Sequence, residues 1–195
     1  MAGNTKKILS QDDVIAAAQQ VRWYVMRVYK QEMRVEKEFR EAGFEVFVPK
    51  AKVVKKLMRH GKFVPVVKEQ LAMTGYVFVN SSRALIQQFK TGREYIRWAM
   101  QGDDGDRVLM CVKDNQMRDF ISITNQYEDA VRFYTAEDLS GLKIGARVRI
   151  IDGHLSGVEG QLVSIRGKRD RRLIVVLDGI GGASVDLQPE LVAVI

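Results

Sequence analysis

Hydrophobic positions in the first two thirds of the chain follow two different spacings in turn. Runs rich in aromatic and β-branched residues suit pleated strands and predict four of them: residues 23–29, 44–48, 75–80 and 94–100. Apolar residues three and four positions apart predict three helices: residues 31–42, the segment from Ser82 to Gly92, and residues 113–127. With a hairpin after the second strand, this order predicts an α+β domain whose sheet is covered by helices on one face.

The last third of the chain has a different pattern. Short β-branched runs at residues 148–151, 162–165 and 173–177 are separated by glycines that suit tight turns. This predicts a small C-terminal β-barrel over residues 141–195. Residues 128–140 show no clear periodicity and predict a linker, and residues 1–21 predict an N-terminal leader with a short helix capped by Ser10.

Composition narrows the classes of function. A net charge of +7 favours polyanionic partners, nucleic acid before anionic membrane. The single cysteine, Cys111, excludes an internal disulfide and a cysteine-based zinc site, and it fits a reducing cytoplasm. No apolar run approaches the ~20 residues that cross a bilayer. These features predict a cytoplasmic monomer without a membrane partner.

Catalytic and cofactor patterns are missing from the sequence. His60 and His154 lie far apart, no nucleophile stands beside either in a recognisable pattern, and no glycine-rich phosphate loop has the required spacing. We therefore expect a protein that is not an enzyme and that uses no metal and no cofactor.

A basic hairpin is predicted over residues 50–68, turning at residues 59–62. Its cations precede the first carboxylate, Glu69, and are Lys50, Lys52, Lys55, Lys56, Arg59, Lys62 and Lys68. Attraction to phosphates explains such a one-sign ribbon, and we expect these residues to bind nucleic acid. The alternative is a solvated charged hairpin that aids solubility.

Five motifs occur in a fixed order: Trp23-Tyr24-Val25, Glu36 in the first helix, Phe47-Val48-Pro49, Gly75-Tyr76-Val77-Phe78-Val79, and the glycine-punctuated unit that begins at Val148-Arg149-Ile150 and resembles a KOW motif. Together they resemble the NusG-type transcription elongation factors from residue 22 to the C-terminus. The resemblance implies an NGN-like RNA polymerase-binding domain at residues 22–127 and an SH3-like KOW β-barrel at residues 141–195. Among such factors the chain is most similar to specialised paralogues, the UpxY-type antiterminators of capsular polysaccharide loci.

The resemblance also implies where partners bind. The clamp region of RNA polymerase would contact an apolar patch at Tyr24, Arg27, Met73, Tyr76 and Phe78, and a second, positional candidate is the end of the following helix at Lys90 and Thr91. The alternative is that Tyr24 and Phe78 are core residues, and Thr74 stands where relatives have proline, which leaves the shape of this turn open. DNA near the transcription bubble would contact the basic hairpin.

The KOW unit implies a further partner, bound through His154, Leu155, Arg169 and Arg171. Ribosomal protein S10 is the candidate, whereas Rho is disfavoured because Leu155 stands where relatives often have an aromatic residue. The basic loop at residues 166–172 is either an RNA contact or a charged hairpin tip.

The function that the resemblance implies is transcription antitermination: docking on RNA polymerase to suppress pausing or termination within specific operons, such as those for surface polysaccharide synthesis. Two alternatives stay open. One is a housekeeping NusG-like elongation factor coupled to the ribosome or to Rho. The other is a ribosome- or RNA-binding protein that acts through the KOW barrel.

Overall fold

We describe a computed structural model of the chain, which covers residues 15, 18–59, 61–103, 105–125, 131–164, 171–186 and 192–195. The helix predicted after Ser10, the hairpin tip at His60 and residues 166–170 of the basic loop, including Arg169, lie outside the described residues. So do the side chains of Arg59 and Arg171.

The N-terminal sheet is antiparallel and is built around one central strand. That strand, β1 (Val21–Val28), pairs with β5 (Tyr76–Ser82), β6 (Ile96–Trp98) and β9 (Cys111–Val112), while β2 (Glu45–Phe47) pairs with the far side of β5. Tyr24 and Met26 pack into one hydrophobic cluster, and Trp23 and Val25 into another. Because side chains alternate along a strand, both faces of this sheet are apolar and both are covered.

Three helices divide between the two faces. Helices α1 (Glu32–Glu41) and α2 (Arg83–Lys90) cover one face, and α3 (Asp114–Thr124) covers the other through Met117, Phe120 and Ile123. The sequence pattern predicted helices on one face only, so the position of α3 corrects it. Ser82 begins α2 as predicted, because its side chain accepts a hydrogen bond of 3.3 Å from the Leu85 N–H.

The predicted basic hairpin is present as a ribbon that extends away from the sheet. Its strands, β3 (Lys50–Arg59) and β4 (Lys62–Leu71), pair with each other and with no other described strand. A second, much shorter hairpin is formed by β7 (Met100–Gln101) and β8 (Val108–Leu109).

The base of the basic hairpin is attached to α1 by a buried carboxylate. Glu36 is 5% exposed. Its Oε2 lies 2.8 Å from Lys50 Nζ, and its Oε1 lies 2.9 Å from Arg40 Nη2. This single carboxylate therefore joins the first residue of the hairpin to the helix beneath it.

Replacing Glu36 by glutamine is expected to lower the free energy of unfolding by about 1–2 kcal/mol, less than a fully buried pair would lose because Arg40 is largely solvated. Urea denaturation measures it. The matched control is Glu41→Gln, whose carboxylate forms an exposed 3.6 Å ion pair with Lys37 on the same helix. The control is expected to change stability by less than ~0.5 kcal/mol, and equal effects of the two substitutions would contradict the assignment.

The C-terminal domain is a six-stranded antiparallel sheet. Its spatial order is β10-β14-β13-β12-β11-β15, and its elements in chain order are β10 (Arg132–Thr135), α4 (Ala136–Ser140), β11 (Ile144–Ile150), β12 (Glu159–Ser164), β13 (Arg171–Leu177), β14 (Gly181–Asp186) and β15 (Val192–Val194). The predicted fold class, an α+β domain followed by an all-β KOW-like domain, is confirmed. Residues 132–140, predicted as linker, contain the edge strand β10 and the short helix α4.

The two domains share one hydrophobic core. Helix α3 lies between them: Met117, Phe120 and Ile123 belong to the same buried cluster as Trp23 and Val25 of β1 and as a group from the C-terminal domain, Val148, Ile150, Leu173, Val175, Leu177 and Ile180. A polar contact adds to this packing, since Gln116 Nε2 donates a 2.7 Å hydrogen bond to the Val176 carbonyl oxygen. The described arrangement is therefore closed, with the C-terminal domain seated on the face of the sheet that α3 covers.

Candidate functional site

A cleft of about 470 Å³ lies where the two domains meet. The N-terminal domain lines it with Arg27, Met73, Thr74 and Tyr76, and the C-terminal domain with Tyr134, Glu137, Gly179, Ile180 and neighbouring residues. Three of the predicted polymerase contacts therefore come together here. We call Arg27, Met73 and Tyr76 the cleft triad.

The turn that carries Met73 and leads into Tyr76 is held in place by two hydrogen bonds of Gly75. Gly75 has φ +85°, a left-handed conformation that favours glycine. Its N–H donates a 2.6 Å hydrogen bond to Glu32 Oε1, and its carbonyl accepts one of 3.1 Å from the Val28 N–H. The turn shape that Thr74 left open at the sequence level is thus fixed by the end of β1 and the start of α1.

Tyr76 has the character of an interface anchor. It is partly buried, and the Arg27 guanidinium lies 4.1 Å from the centre of its ring. A cation stacked on an aromatic ring combines apolar area with charge, and arginine and tyrosine are among the residues enriched at energetically important interface positions. The pair is therefore suited to docking another protein.

Met73 is covered by the C-terminal domain. It is 7% exposed. A Cβ added at Gly181 would lie 2.9 Å from the Met73 Cε atom, so the absence of a side chain at Gly181 leaves room for Met73. Part of the triad is hence closed off in this arrangement.

The other two residues of the predicted patch lie inside the domain. Phe78 has no exposed surface and packs between Phe47 and Phe120, with ring centres 6.5 and 6.3 Å away. Tyr24 is 5% exposed, its ring lies edge-on to Trp98, and burial raises the pKa of its hydroxyl. Both rings are buried because both faces of the sheet are covered, and the described arrangement offers neither ring to a partner.

Lys90 and Thr91 lie apart from the cleft. They end α2, which packs through Ile86 and Phe89 on the opposite face of the sheet from α3. The Thr91 hydroxyl donates a 3.0 Å hydrogen bond to the Gln87 carbonyl oxygen and so helps to end the helix. The two predicted sets of polymerase contacts thus occupy different faces of the N-terminal domain.

The predicted partner site of the C-terminal domain is only partly assembled among the described residues. His154 is exposed, whereas Leu155 is partly buried and packs against the shared core. Leu155 consequently presents less apolar surface to a partner than its loop position suggested.

The cations of the basic hairpin whose side chains the structure describes are exposed, with one exception. Lys52, Lys55, Lys56, Lys62 and Lys68 are all exposed. Lys50 is the exception, because it pairs with Glu36 at the hairpin base. Most of the predicted nucleic-acid contacts are consequently accessible to a partner.

One acidic residue of the domain interface was not predicted. Asp119 on α3 is 8% exposed and lies beside β12, where it accepts a hydrogen bond from the Glu159 backbone N–H. Burial raises the pKa of its carboxyl, and that effect outweighs the opposing influence of the hydrogen bond, Arg118 and Arg147. No sequence signal distinguishes Asp119 from other polar residues on an amphipathic helix.

A raised pKa means that the native state holds the Asp119 proton more tightly than the unfolded chain does, so the native state loses stability as pH rises through the usual pKa of aspartate and the raised one. Asp119→Asn is expected to raise the thermal midpoint at pH 7, and the gain should shrink as pH falls towards 4. Thermal unfolding across that range measures it. Asp114→Asn, an exposed change in the first turn of the same helix, is the control, and a gain that does not depend on pH would contradict the prediction.

The N-terminal domain matches a known protein family. Residues 21–121, more than half of the chain, match the family described as "Transcription termination factor nusG". The chain belongs to the NusG family. NusG-family proteins are non-enzymatic transcription factors that bind RNA polymerase. The match spans β1 to α3 and so includes the cleft triad and the basic hairpin.

Among solved structures, the chain is similar to one described as "Domain interaction in Thermotoga maritima NusG". The two are 21% identical with a TM-score of 0.43, and the match covers 91% of this chain and 99% of that one. Curated protein sequences gave no match. No helix in the described part of this NusG-family chain is long and apolar enough to span a membrane.

Proposed function

We propose that this NusG-family protein is an operon-specific antitermination factor of the cytoplasm. It docks on the clamp region of elongating RNA polymerase through the cleft triad and suppresses pausing or termination. The UpxY-type paralogues of polysaccharide loci are the relatives whose role it resembles most.

The observation that supports operon specificity is that the C-terminal domain covers Met73, one residue of the cleft triad. A closed arrangement allows a signal to control docking, whereas a factor whose docking face is always free needs no such signal. Here the C-terminal domain packs over Met73, and Tyr76 lies in the cleft between the domains. A ligand binds with reduced apparent affinity when the competent form is only a fraction of the population, so docking depends on a signal that separates the domains. A recruitment element on one class of operon supplies such a signal.

The C-terminal domain has the second role in this proposal. Once displaced, its partner face is free, and ribosomal protein S10 is the partner that we propose. Leu155 packs inward and offers no large anchor, which disfavours Rho. A factor that does not bind Rho fits a role in suppressing termination.

The test is transcription in vitro by purified polymerase on two templates, each with a terminator. One carries the leader of the operon in which the gene lies, and the other carries an unrelated leader. Wild-type protein is expected to increase readthrough on the first template only, and Tyr76→Ala is expected to abolish the increase. The control Met33→Ala changes an exposed apolar residue on α1, which packs on the other face of the sheet.

Other results would point elsewhere. Equal readthrough on both templates would indicate a general elongation factor. Failure to retain polymerase together with binding of ribosomal RNA would indicate a ribosome-associated protein, and either result contradicts the proposal.

A further inference from the structure

A cavity of about 670 Å³ lies at the base of the basic hairpin, and we call it the hairpin-base cavity. The hairpin strands, α1, β2 and the end of α3 line it from the N-terminal domain, and β10 lines it from the C-terminal domain. The cleft triad is not among its described lining residues. Its volume is typical of small-molecule sites, which occur preferentially where domains meet. The cavity is therefore a candidate ligand site.

Two phenylalanine side chains line the hairpin-base cavity, one from each domain. Phe47 on β2 and Phe133 on β10 are half-buried, and both pack against the shared core. Phe133 also lines the cleft. Because neither side chain is fully buried, ring surface remains for a ligand. Aromatic rings bind other planar rings by stacking, which adds to the free energy of burying apolar area. The cavity therefore suits a ligand with a planar ring.

The charged side chains that line the cavity favour an anion. They are three cations and two carboxylates, a net charge of +1: Arg40, Lys50, Lys52, Glu36 and Glu69. Lys52 stands opposite Glu69 in the hairpin, so these two charges offset each other. The Glu36 carboxylate is shared by Lys50 and Arg40, which lie 2.8 and 2.9 Å from its two oxygens. One carboxylate does not neutralise two cations, and the remaining positive charge attracts a negatively charged ligand group.

Arg40 has hydrogen-bond donors left for such a group. Its Nε and Nη2 donate to Glu36 Oε1 at 3.3 and 2.9 Å, and Nη2 also donates to the Val46 carbonyl oxygen at 3.3 Å. Its Nη1 donates to none of the described residues, and the side chain is 60% exposed. A guanidinium has five N–H donors in a planar fork that matches the oxygens of a phosphate. A phosphate group is therefore the anion that fits best.

We propose that the hairpin-base cavity binds a free mononucleotide, a ligand that combines a planar ring with a phosphate. The phosphate contacts Arg40 and Lys50, and the base stacks on Phe47 or Phe133. The side-chain amide of Asn125, which also lines the cavity, has donors and an acceptor for the edge of the base. Because both domains line the cavity, a bound nucleotide favours the closed arrangement over a separated one. The site goes beyond the proposed function and does not require polymerase.

Isothermal titration calorimetry of the full-length chain tests this with AMP, GMP, CMP and UMP as probes. The matching nucleosides and inorganic phosphate are titrated beside them at the same salt concentration, because each offers only one half of the ligand. At least one nucleotide is expected to bind about tenfold or more tightly than its nucleoside and than phosphate, since stacking and a charged hydrogen bond are each worth about that factor.

Substitutions in each domain test whether both contribute. Arg40→Gln is expected to weaken nucleotide binding about tenfold, and Phe133→Leu, which keeps an apolar side chain but removes the ring, by a similar factor. Lys37→Gln is the control for the first, because it changes an exposed cation of the same helix outside the cavity. Phe44→Leu is the control for the second, because it changes a half-buried ring in the other hydrophobic cluster. Lys56→Gln removes an exposed hairpin cation outside the cavity and should also leave nucleotide binding unchanged.

Three results would overturn the proposal. The first is that none of the four nucleotides binds more tightly than phosphate. The second is that Lys56→Gln weakens nucleotide binding as much as Arg40→Gln does, which would place the nucleotide on the exposed hairpin. The third is that Phe133→Leu binds as wild type does, which would exclude the C-terminal domain from the site. Polymerase is absent from this experiment, so failure here leaves polymerase docking intact, whereas failure of Tyr76→Ala to affect readthrough leaves the nucleotide site intact.

Discussion

Replacing Ile180 by aspartate is expected to increase the retention of RNA polymerase by the full-length chain about tenfold or more. Ile180 is 4% exposed, belongs to the shared core and lines the cleft opposite the triad. An unpaired carboxylate there destabilises the closed arrangement by about 2–4 kcal/mol, since it must be desolvated and the apolar contact is lost. Separation of the domains uncovers Met73 and Tyr76.

Pull-down of core polymerase at low salt measures the change. Ile180→Val, which keeps most of the apolar contact and costs about 0.5–1.5 kcal/mol, is the matched control and should raise retention less than Ile180→Asp does. A second variant, Gln116→Ala, removes only the interdomain hydrogen bond to Val176. That loss is worth about 0.5–1 kcal/mol, so retention should rise two- to fivefold. If both variants keep their circular dichroism spectrum and neither retains more polymerase than wild type, the closed arrangement does not limit docking.

Replacing Phe78 by alanine is expected to lower the free energy of unfolding by about 3–5 kcal/mol, the usual cost of truncating a fully buried phenylalanine. Phe78 has no exposed surface, and its ring packs with those of Phe47 and Phe120. The cavity would open where β5 meets α3, in the centre of the shared core. Guanidinium denaturation measures the loss.

The comparison that gives this result meaning is Tyr76→Ala, two positions earlier on the same strand. Tyr76 is only partly buried, so its removal should cost much less stability while abolishing polymerase-dependent readthrough. The two substitutions thereby separate a core residue from a contact residue within one motif. A loss below ~1 kcal/mol for Phe78→Ala would show that its ring is not a packed core element.

The elements with strong periodicity were predictable from the sequence. β1, α1, β5 and the basic hairpin have apolar residues at strand or helix spacing, and the structure has them within a few residues of the predicted bounds. The edge strand β10 lies in the segment predicted as linker. Its neighbour α4 had a readable signal, because Thr135 and Asp138 form a capping box.

Strand β14 could not be predicted, because the residues at its start do not favour strands. It begins Gly181-Gly182-Ala183, residues with low preference for strands. These small residues permit close approach: a Cβ at Gly181 would lie 2.3 Å from the Tyr134 carbonyl oxygen, and one at Gly182 would lie 2.8 Å from that of Val175. Packing between strands, and not local propensity, determines this element.

The candidate site divides in the same way. Because side chains alternate along β5, the sequence predicts that one of Tyr76 and Val77 is buried. It does not predict what packs against the other one. That the C-terminal domain covers Met73 depends on contacts between residues about a hundred positions apart, such as Met73 and Gly181. The spacing of hydrophobic residues within either domain does not predict such a contact.

Helix α3 packs against both domains at once, and this has a consequence for how the protein unfolds. Its buried residues Met117, Phe120 and Ile123 lie in a cluster to which both domains contribute. The two domains should consequently melt as one cooperative unit, with a single calorimetric transition whose enthalpy reflects the whole chain. A protein organised in this way couples the folding of its polymerase-binding half to the integrity of its C-terminal half, so damage to either is felt in both.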